Sequence, residues 1–469
     1  MLRLSSKGAE AVAAWFSGTP VGHDHDHQHL GWRLVNGGLA TLRLGSTPLS
    51  PTPVDIVIPV KDDLEGLLLT LHSLFPTAIA PSTDIETPED AEQRHWRVIV
   101  VDDGSQIPIT RSLLDRVGVC VDRSDVELSL VSQRRSRGPA DARNRGLSLA
   151  AATVVAFIDA GVTISGVDLD RLVGETLEPN TVAVAPRVRP DPLDVTRSAG
   201  PDASDSRQAR LVADYEERFS ALDLGSHPGL AGSGRPVPYV PSTCLVVRTR
   251  ALHAVDGFNR DLRYGEDVDL VWRLTGLGWV RYLPVITVGH PPRSSIAGMA
   301  SQRFHYGTAA GPLARRHGRA IAAARLSPAM AVIWLGAATR TPLLSLIAAA
   351  WSMWRLRDSL SSHPTPIGEA SALLANGIVQ SGRGLSSAAA RVWWPAYPVL
   401  AKCWPRAARV LLLLTIAGWL RRVRPESGLA ALPDLALGVL DDCAYGLGVW
   451  SGAAANGTVT ALVPDIHWP

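Results

Sequence analysis

Carboxylates stand at four places where an apolar run stops or a helix begins: Asp62, Asp103, Asp159 and the pair Glu266-Asp267. Asp62 follows Val54-Asp55-Ile56-Val57-Ile58-Pro59-Val60-Lys61, Asp103 follows Val98-Ile99-Val100-Val101-Asp102, and Asp159 follows Val154-Val155-Ala156-Phe157-Ile158. Acids placed this way can accept hydrogen bonds from a nucleobase or ribose, help a cation neutralise a diphosphate, or take a proton from an attacking hydroxyl. That is the chemistry of nucleotide-dependent group transfer. Each position also has a plainer reading. Asp102 or Asp103 could cap the turn formed with Gly104 and Ser105, Asp62 could cap the next helix, and Glu266-Asp267 could be an acidic first turn.

The elements that must position these acids are legible in outline. Continuous apolar runs read as parallel strands buried on both faces, with polar residues at their carboxyl ends. In an α/β sheet that edge is where ligands bind. Leu64, Leu67, Leu68, Leu71, Leu74 and Phe75 line one face of a helix between Asp62 and Phe75. Residues 81–93 read as a polar surface loop and 190–236 as mostly irregular, except for a helix near Ala209 to Leu222. Strand character returns from Val237 to Arg248. Glu266-Asp267 opens a helix from Val268 to Leu277, whose positive end favours an ionised carboxylate. The expected organisation is an α/β domain over residues 51–320, a small extension over 1–50 and a helical region over 321–469. In the extension, Ala9 to Phe16 reads as a helix and Gly31 to Leu44 as two strands around Asn36-Gly37-Gly38. The tract from His23 to His29 is a solvated loop or a divalent-metal binder.

Bulk properties narrow the function classes. The 46 Lys and Arg nearly balance 44 Asp and Glu, so nothing draws the whole chain to nucleic acid. Four dispersed cysteines (Cys120, Cys244, Cys403, Cys443) form no CxxC pair and argue against a zinc site or disulfide framework. Lys7, Glu10 and no long apolar core near the N-terminus predict no signal peptide, hence a cytoplasmic, reducing setting. Leu326 to Trp351 is long and apolar but carries Pro328, Arg340 and Pro342; Ala407 to Leu420 is shorter than the roughly 20 residues a span needs. Buried or interfacial helices are expected there, and contact with the inner membrane face stays open.

Three further segments complete a resemblance. These are Gly138-Pro139-Ala140-Asp141-Ala142-Arg143-Asn144-Arg145-Gly146, Val255-Asp256-Gly257-Phe258-Asn259, and Tyr264-Gly265-Glu266-Asp267-Val268-Asp269-Leu270-Val271-Trp272-Arg273-Leu274. With the three acidic signatures, in this order, they resemble family 2 glycosyltransferases of the GT-A fold over residues 52 to 295. The resemblance implies an inverting transferase that moves a hexose, glucose or a relative, from a UDP-sugar to a small-molecule acceptor. Pro59, Val60 and Asp62 would flank the uracil, Asp103 would be its polar partner, and Arg143 would contact base or phosphate. Asp267 would be the general base, with Glu266 positioning the acceptor. The long helical tail and small extension look most like the members that glycosylate a peptide-derived redox cofactor.

One departure matters. The family's metal motif is usually Asp-x-Asp, whereas here it is Asp159-Ala160-Gly161. The resemblance then leaves Asp159 and His290 as the ligands of a Mg2+ or Mn2+ ion, or else a metal-independent site. Gln302-Arg303 and the Arg315-Arg316-His317-Gly318-Arg319 stretch could add phosphate-neutralising cations, and Gln302-Arg303 leaves repeated sugar addition open. Arg134, Arg135 and Arg137 form a solvated loop or a phosphate-side patch, while Trp272 and Trp279 are sugar-stacking or core aromatics. Two rivals remain. A nucleotidyltransferase also gathers acids at strand ends, but no Gly-rich, Lys-containing phosphate loop follows the first strand. The other is a nucleotide-sugar-binding scaffold that has lost catalysis.

Overall fold

The structure is a computed structural model that describes residues 4–22, 24–41, 52–75, 96–116, 126–191, 203–361, 365–421 and 431–467. The expected loop at 81–93 lies outside these residues, as do His23 and the end of the expected N-terminal hairpin. Two compact units are present. One comprises Leu2–Ser198 and Glu216–Pro292; the other includes Ala199–Tyr215 and Arg293–Pro469.

The first unit is built on an eight-stranded sheet. Its strands are β1 (Val54–Val60), β2 (Trp96–Asp102), β3 (Val126–Ser132), β4 (Val154–Ile158), β5 (Thr181–Pro190), β6 (Gly229–Leu230), β7 (Cys244–Arg248) and β8 (Trp279–His290), in the spatial order β3-β2-β1-β4-β7-β5-β8-β6. Only β7 and β6 run against the rest. The helices are α1 (Ser6–Phe16), α2 (His25–Asn36), α3 (Leu64–Leu74), α4 (Arg111–Arg116), α5 (Pro139–Leu147), α6 (Gly166–Thr176), α7 (Ala203–Phe219), α8 (Thr249–Ala254) and α9 (Glu266–Leu274). Residues of α7 up to Tyr215 belong to the second unit.

The strands are apolar throughout because both sheet faces are covered. Ile56, Ile58, Val98, Val100, Ala156 and Ile158 face a core completed by Leu67 and Leu71 of α3, Leu114 of α4 and Leu169 of α6. The alternate residues Val57, Ile99, Val101, Val155 and Phe157 face Ala142 of α5, Leu252 of α8 and Leu270 of α9. Burial of each large side chain contributes about 1.5–3 kcal/mol. Register then fixes the working edge: Val60 lies beside Asp102, and Val57 beside both Ile99 and Phe157. The residues after β1, β2 and β4 therefore emerge at one carboxyl edge.

The N-terminal extension differs from expectation. Residues 25–36 are helical, not a loop followed by a strand, because Asp24 Oδ1 accepts the His27 amide at 2.9 Å and starts α2. Asn36-Gly37-Gly38 ends that helix instead of turning a hairpin. Gly38 adopts φ +68°, and the Leu39 amide reaches back to the Leu34 carbonyl at 2.9 Å. This closing pattern suits glycine just past a helix end.

The second unit is helical: α10 (Ile296–Thr308), α11 (Ala310–His317), α12 (Pro328–Thr339), α13 (Pro342–Ser359), α14 (Pro366–Ala388), α15 (Tyr397–Cys403), α16 (Pro405–Leu420) and α17 (Ala431–Ala455). It begins at Arg293, earlier than the expected boundary near 320, because α10 and α11 lie close against α17. A side chain at Gly307 or Gly448 would collide with the facing helix backbone. The apolar run from Leu326 is broken where Arg340 takes φ +58° and Pro342 restarts the chain as α13. Among the described residues no helix is long and apolar enough to cross a membrane.

Candidate active site

A short helix, α5, links the acids that sequence separates. Its start is held by Asp103, whose carboxylate accepts hydrogen bonds from Ser136 Oγ (2.8 Å), the Arg137 amide (2.8 Å) and the Gly138 amide (2.9 Å). Gly138, at φ +95°, turns the chain into the helix, and Pro139 occupies its first turn. Asp103 thus grips a loop in this structure; its amide in turn donates to the Val60 carbonyl at 2.8 Å. Its neighbour Asp102 caps its own turn, accepting from the Ser105 and Ile109 amides.

About one turn along α5 stands Arg143, 4% exposed. Its Nη2 donates to Asp159 Oδ1 at 2.6 Å and its Nη1 to Glu266 Oε1 at 3.0 Å. The guanidinium therefore ties the end of β4 to the start of α9. Asp267 adds its charge to the same cluster. Asp103, Asp159 and the Glu266-Asp267 pair are thereby gathered around one helix. Arg143, expected against base or phosphate, is enclosed by carboxylates.

The electrostatics follow from burial. Burial works against the Arg143 charge, but Asp159 and Glu266 outweigh it and hold the guanidinium above its ordinary value. Glu266 is pushed up to about 7, first by burial and then by the neighbouring Asp267 charge, against the pull of Arg143. Asp267 is also raised, mainly by burial, although the Val268 amide and Arg143 oppose this. A carboxyl pair at a helix start, both members raised by burial, suits a general base.

Two motifs that looked separate lock the frame. Asn144 Nδ2 donates to the Phe258 carbonyl at 2.7 Å while its Oδ1 accepts the Phe258 amide at 2.8 Å. Arg273, on α9, donates to the carbonyls of Val255 and Gly257 and pairs with Asp269 at 2.7 Å. Asp269 is fully buried in this clamp. Sequence reasoning missed Asn144 and Arg273 as positioning residues. Both lie in helices already rich in charged residues, where one more polar side chain carries no signal of its own.

The remaining candidates are placed as follows. Asp62 is exposed at φ +54°, and its Oδ1 accepts the Gln106 amide at 2.7 Å. The cap of α3 is Asp63, which accepts the Gly66 amide at 2.8 Å. Val60 is buried and Pro59 half-buried. Trp279 is buried, its Nε1 bonded to Asn36 Oδ1 at 3.0 Å, and so is no sugar platform. Trp272 donates to the Pro238 carbonyl. Arg303 is 2% exposed and bonded to Asp441 at 2.9 Å, so it is not available to a phosphate. Arg134, Arg135 and Arg137 are exposed on the turn that Asp103 grips.

For a metal the protein offers little. The Asp159 turn lies beside the end of β8, where Thr163 bridges Gly289 and a side chain on Gly161 would meet Pro291 Cγ at 3.1 Å. Gly161 has φ +90°, a backbone that excludes most side chains and so accounts for the missing second aspartate. Asp159 already carries Arg143, and His290 Nδ1 lies 2.8 Å from the Pro291 carbonyl. Among the described residues no group of three or more His, Cys, Asp or Glu could hold a metal ion. These residues do not amount to a protein-built cation site.

Comparison with known proteins agrees with this frame. The model for glycosyl transferase family 2 matches residues 55–229. A Mycobacterium tuberculosis protein named pre-mycofactocin glycosyltransferase is 31% identical over 453 residues, covering 92% of this chain and 88% of its own. Among solved structures, the mannosyltransferase PcManGT from Pyrobaculum calidifontis in complex with GDP-Man and Mn2+ aligns over 88% of this chain and 99% of its own, at 17% identity and a TM-score of 0.41. S. aureus TarS 1-349 in complex with UDP aligns over 78% and 90%, at 13% identity and a TM-score of 0.37. With similarity running through nearly the whole length of the mycobacterial relative, the chain belongs to glycosyl transferase family 2 and is a glycosyltransferase.

Proposed function

We propose that this chain moves a hexose, glucose by preference, from a UDP-sugar to a peptide-derived redox cofactor of the mycofactocin type, with inversion at the anomeric carbon. The observation that carries the reading is the meeting of Asp159, Glu266 and Asp267 around buried Arg143 at the sheet's carboxyl edge. The acceptor class is taken from the name of the mycobacterial relative.

The nucleotide lies along the edge formed by Pro59, Val60, Asp62 and Asp103, and the exposed Arg134, Arg135 and Arg137 lend positive charge to the diphosphate side. Asp267 takes the acceptor hydroxyl proton as its oxygen attacks the anomeric carbon. The bond to the UDP oxygen breaks on the opposite face, so an α-linked donor gives a β-linked product. Glu266, held by Arg143, orients the acceptor and keeps Asp267 in place. Were a divalent ion, Mg2+ or Mn2+, to accompany the donor diphosphate, Asp159 and His290 would be the residues to hold it, and it would supply charge neutralisation on the UDP leaving group. Successive transfers would lengthen the product by one hexose at a time.

UDP release from UDP-glucose with a mycofactocin-type acceptor tests the reading. Turnover lost in Asp267→Asn, with UDP binding retained, supports it. Tight UDP binding by the unaltered protein without turnover would favour a nucleotide-sugar-binding scaffold instead.

A further inference from the structure

Helix α13 wears its apolar side chains outward. Leu343, Leu346, Ile347, Trp351 and Trp354 are between 39% and 68% exposed. They recur at the spacing of a single helix face. Inward, the same helix presents Ala348 and Ser352, which are buried. Ser345 Oγ donates to the Ile333 carbonyl and Ser352 Oγ to the Ala348 carbonyl. Ala349, Met353 and Leu356 of the same helix pack towards Ile333 and Leu374, so the helix is apolar on its outward as well as its inward face. A stripe of this size on a protein surface marks an interaction site.

Charge identifies the occupant. Arg340 precedes the stripe and Arg355 and Arg357 follow it, with the Arg355 guanidinium 5.3 Å from the Trp351 ring centre. Helix α16 repeats the design: Leu412, Leu413, Ile416 and Leu420 face outward, Trp404 stands before it, and Arg406, Arg409 and Arg421 flank it. Residues 293–469 carry 17 Lys and Arg against 7 Asp and Glu, whereas residues 1–292 carry 29 against 37. Two of those seven acids, Asp441 and Asp442, are buried in pairs with Arg303 and Arg391. Apolar side chains including tryptophan, rimmed by arginine and too short to span, suit the headgroup boundary of an anionic bilayer.

We propose that the outward face of α13 docks this chain on an anionic phospholipid surface as an interfacial, non-spanning contact. The test is co-sedimentation of the full chain with phosphatidylcholine vesicles and with vesicles containing phosphatidylglycerol, at low and high salt. Binding is expected to the anionic vesicles, weakened by salt, and reduced at least tenfold in Leu346→Glu and in Trp354→Glu. Donor hydrolysis without vesicles should be unchanged in both, which separates lost docking from lost folding. No binding to either vesicle would overturn the proposal. So would equal binding by the variants, or a self-association in solution that the variants abolish, since that would assign the face to a second copy.

Discussion

Arg143 and Glu266, 123 residues apart in sequence, meet at 3.0 Å in the protein interior, and the same guanidinium holds Asp159. That contact joins the end of β4 to the start of α9. Removing one member of a buried charged group leaves the others uncompensated, which costs about 3–5 kcal/mol. Arg143→Met should lose that much stability at pH 8. The loss should shrink at pH 5, where Glu266 and Asp267 can protonate and no longer repel. Urea midpoints at the two pH values check this, and an equal loss at both would contradict an electrostatic role.

Activity should rise with pH and then level off. Burial raises Asp267 above its ordinary value and Glu266 up to about 7, and a general base works only when ionised. Because the two acids share their titration, the midpoint belongs to the pair. In Glu266→Gln the like charge beside Asp267 disappears and Arg143 becomes less neutralised. Both changes lower the Asp267 pKa, so the midpoint of kcat/KM against pH should move to lower pH. A midpoint that stays or rises would remove Asp267 from the role of base.

The sheet and its working edge were legible because both-face burial leaves a simple trace, namely unbroken apolar runs such as Val98 to Val101. The acids were legible because each stands at the end of such a run or helix. Their partners were not. Arg143 looks the same in sequence whether it faces a phosphate or two carboxylates, since only the fold brings Glu266 to it. The Asn36-Gly37-Gly38 turn was misread for a related reason. A positive-φ glycine serves a hairpin and a helix end equally well, and the cap at Asp24 decided between them. The tail boundary was hidden because glycines such as Gly307 and Gly448 reveal a helix contact only once the helices face each other.

The Asn144–Phe258 clamp should prove structural in origin and catalytic in effect. Asn144→Ala strands one amide and one carbonyl of Phe258, and each unsatisfied buried group costs about 1–3 kcal/mol. Thermal melting should show the loss. Because the clamp fixes the segment leading to α9, kcat should fall more than UDP affinity. Equal falls in both would place the clamp's influence on the donor side instead.

Restoring the family's second aspartate should not restore a metal ligand. Gly161 sits at φ +90° with Pro291 Cγ 3.1 Å from where a side chain would start. Backbone strain of this kind costs about 1–3 kcal/mol for a non-glycine residue. Gly161→Asp and Gly161→Ala should therefore lose similar stability, because the penalty comes from the Cβ and φ and not from the carboxylate. Mn2+ should strengthen UDP binding no more in Gly161→Asp than in the unaltered protein, as calorimetry with and without the ion would show. If Gly161→Asp keeps full stability and gains metal-dependent UDP affinity, then the turn readily accepts an aspartate, and the glycine is not there for its backbone.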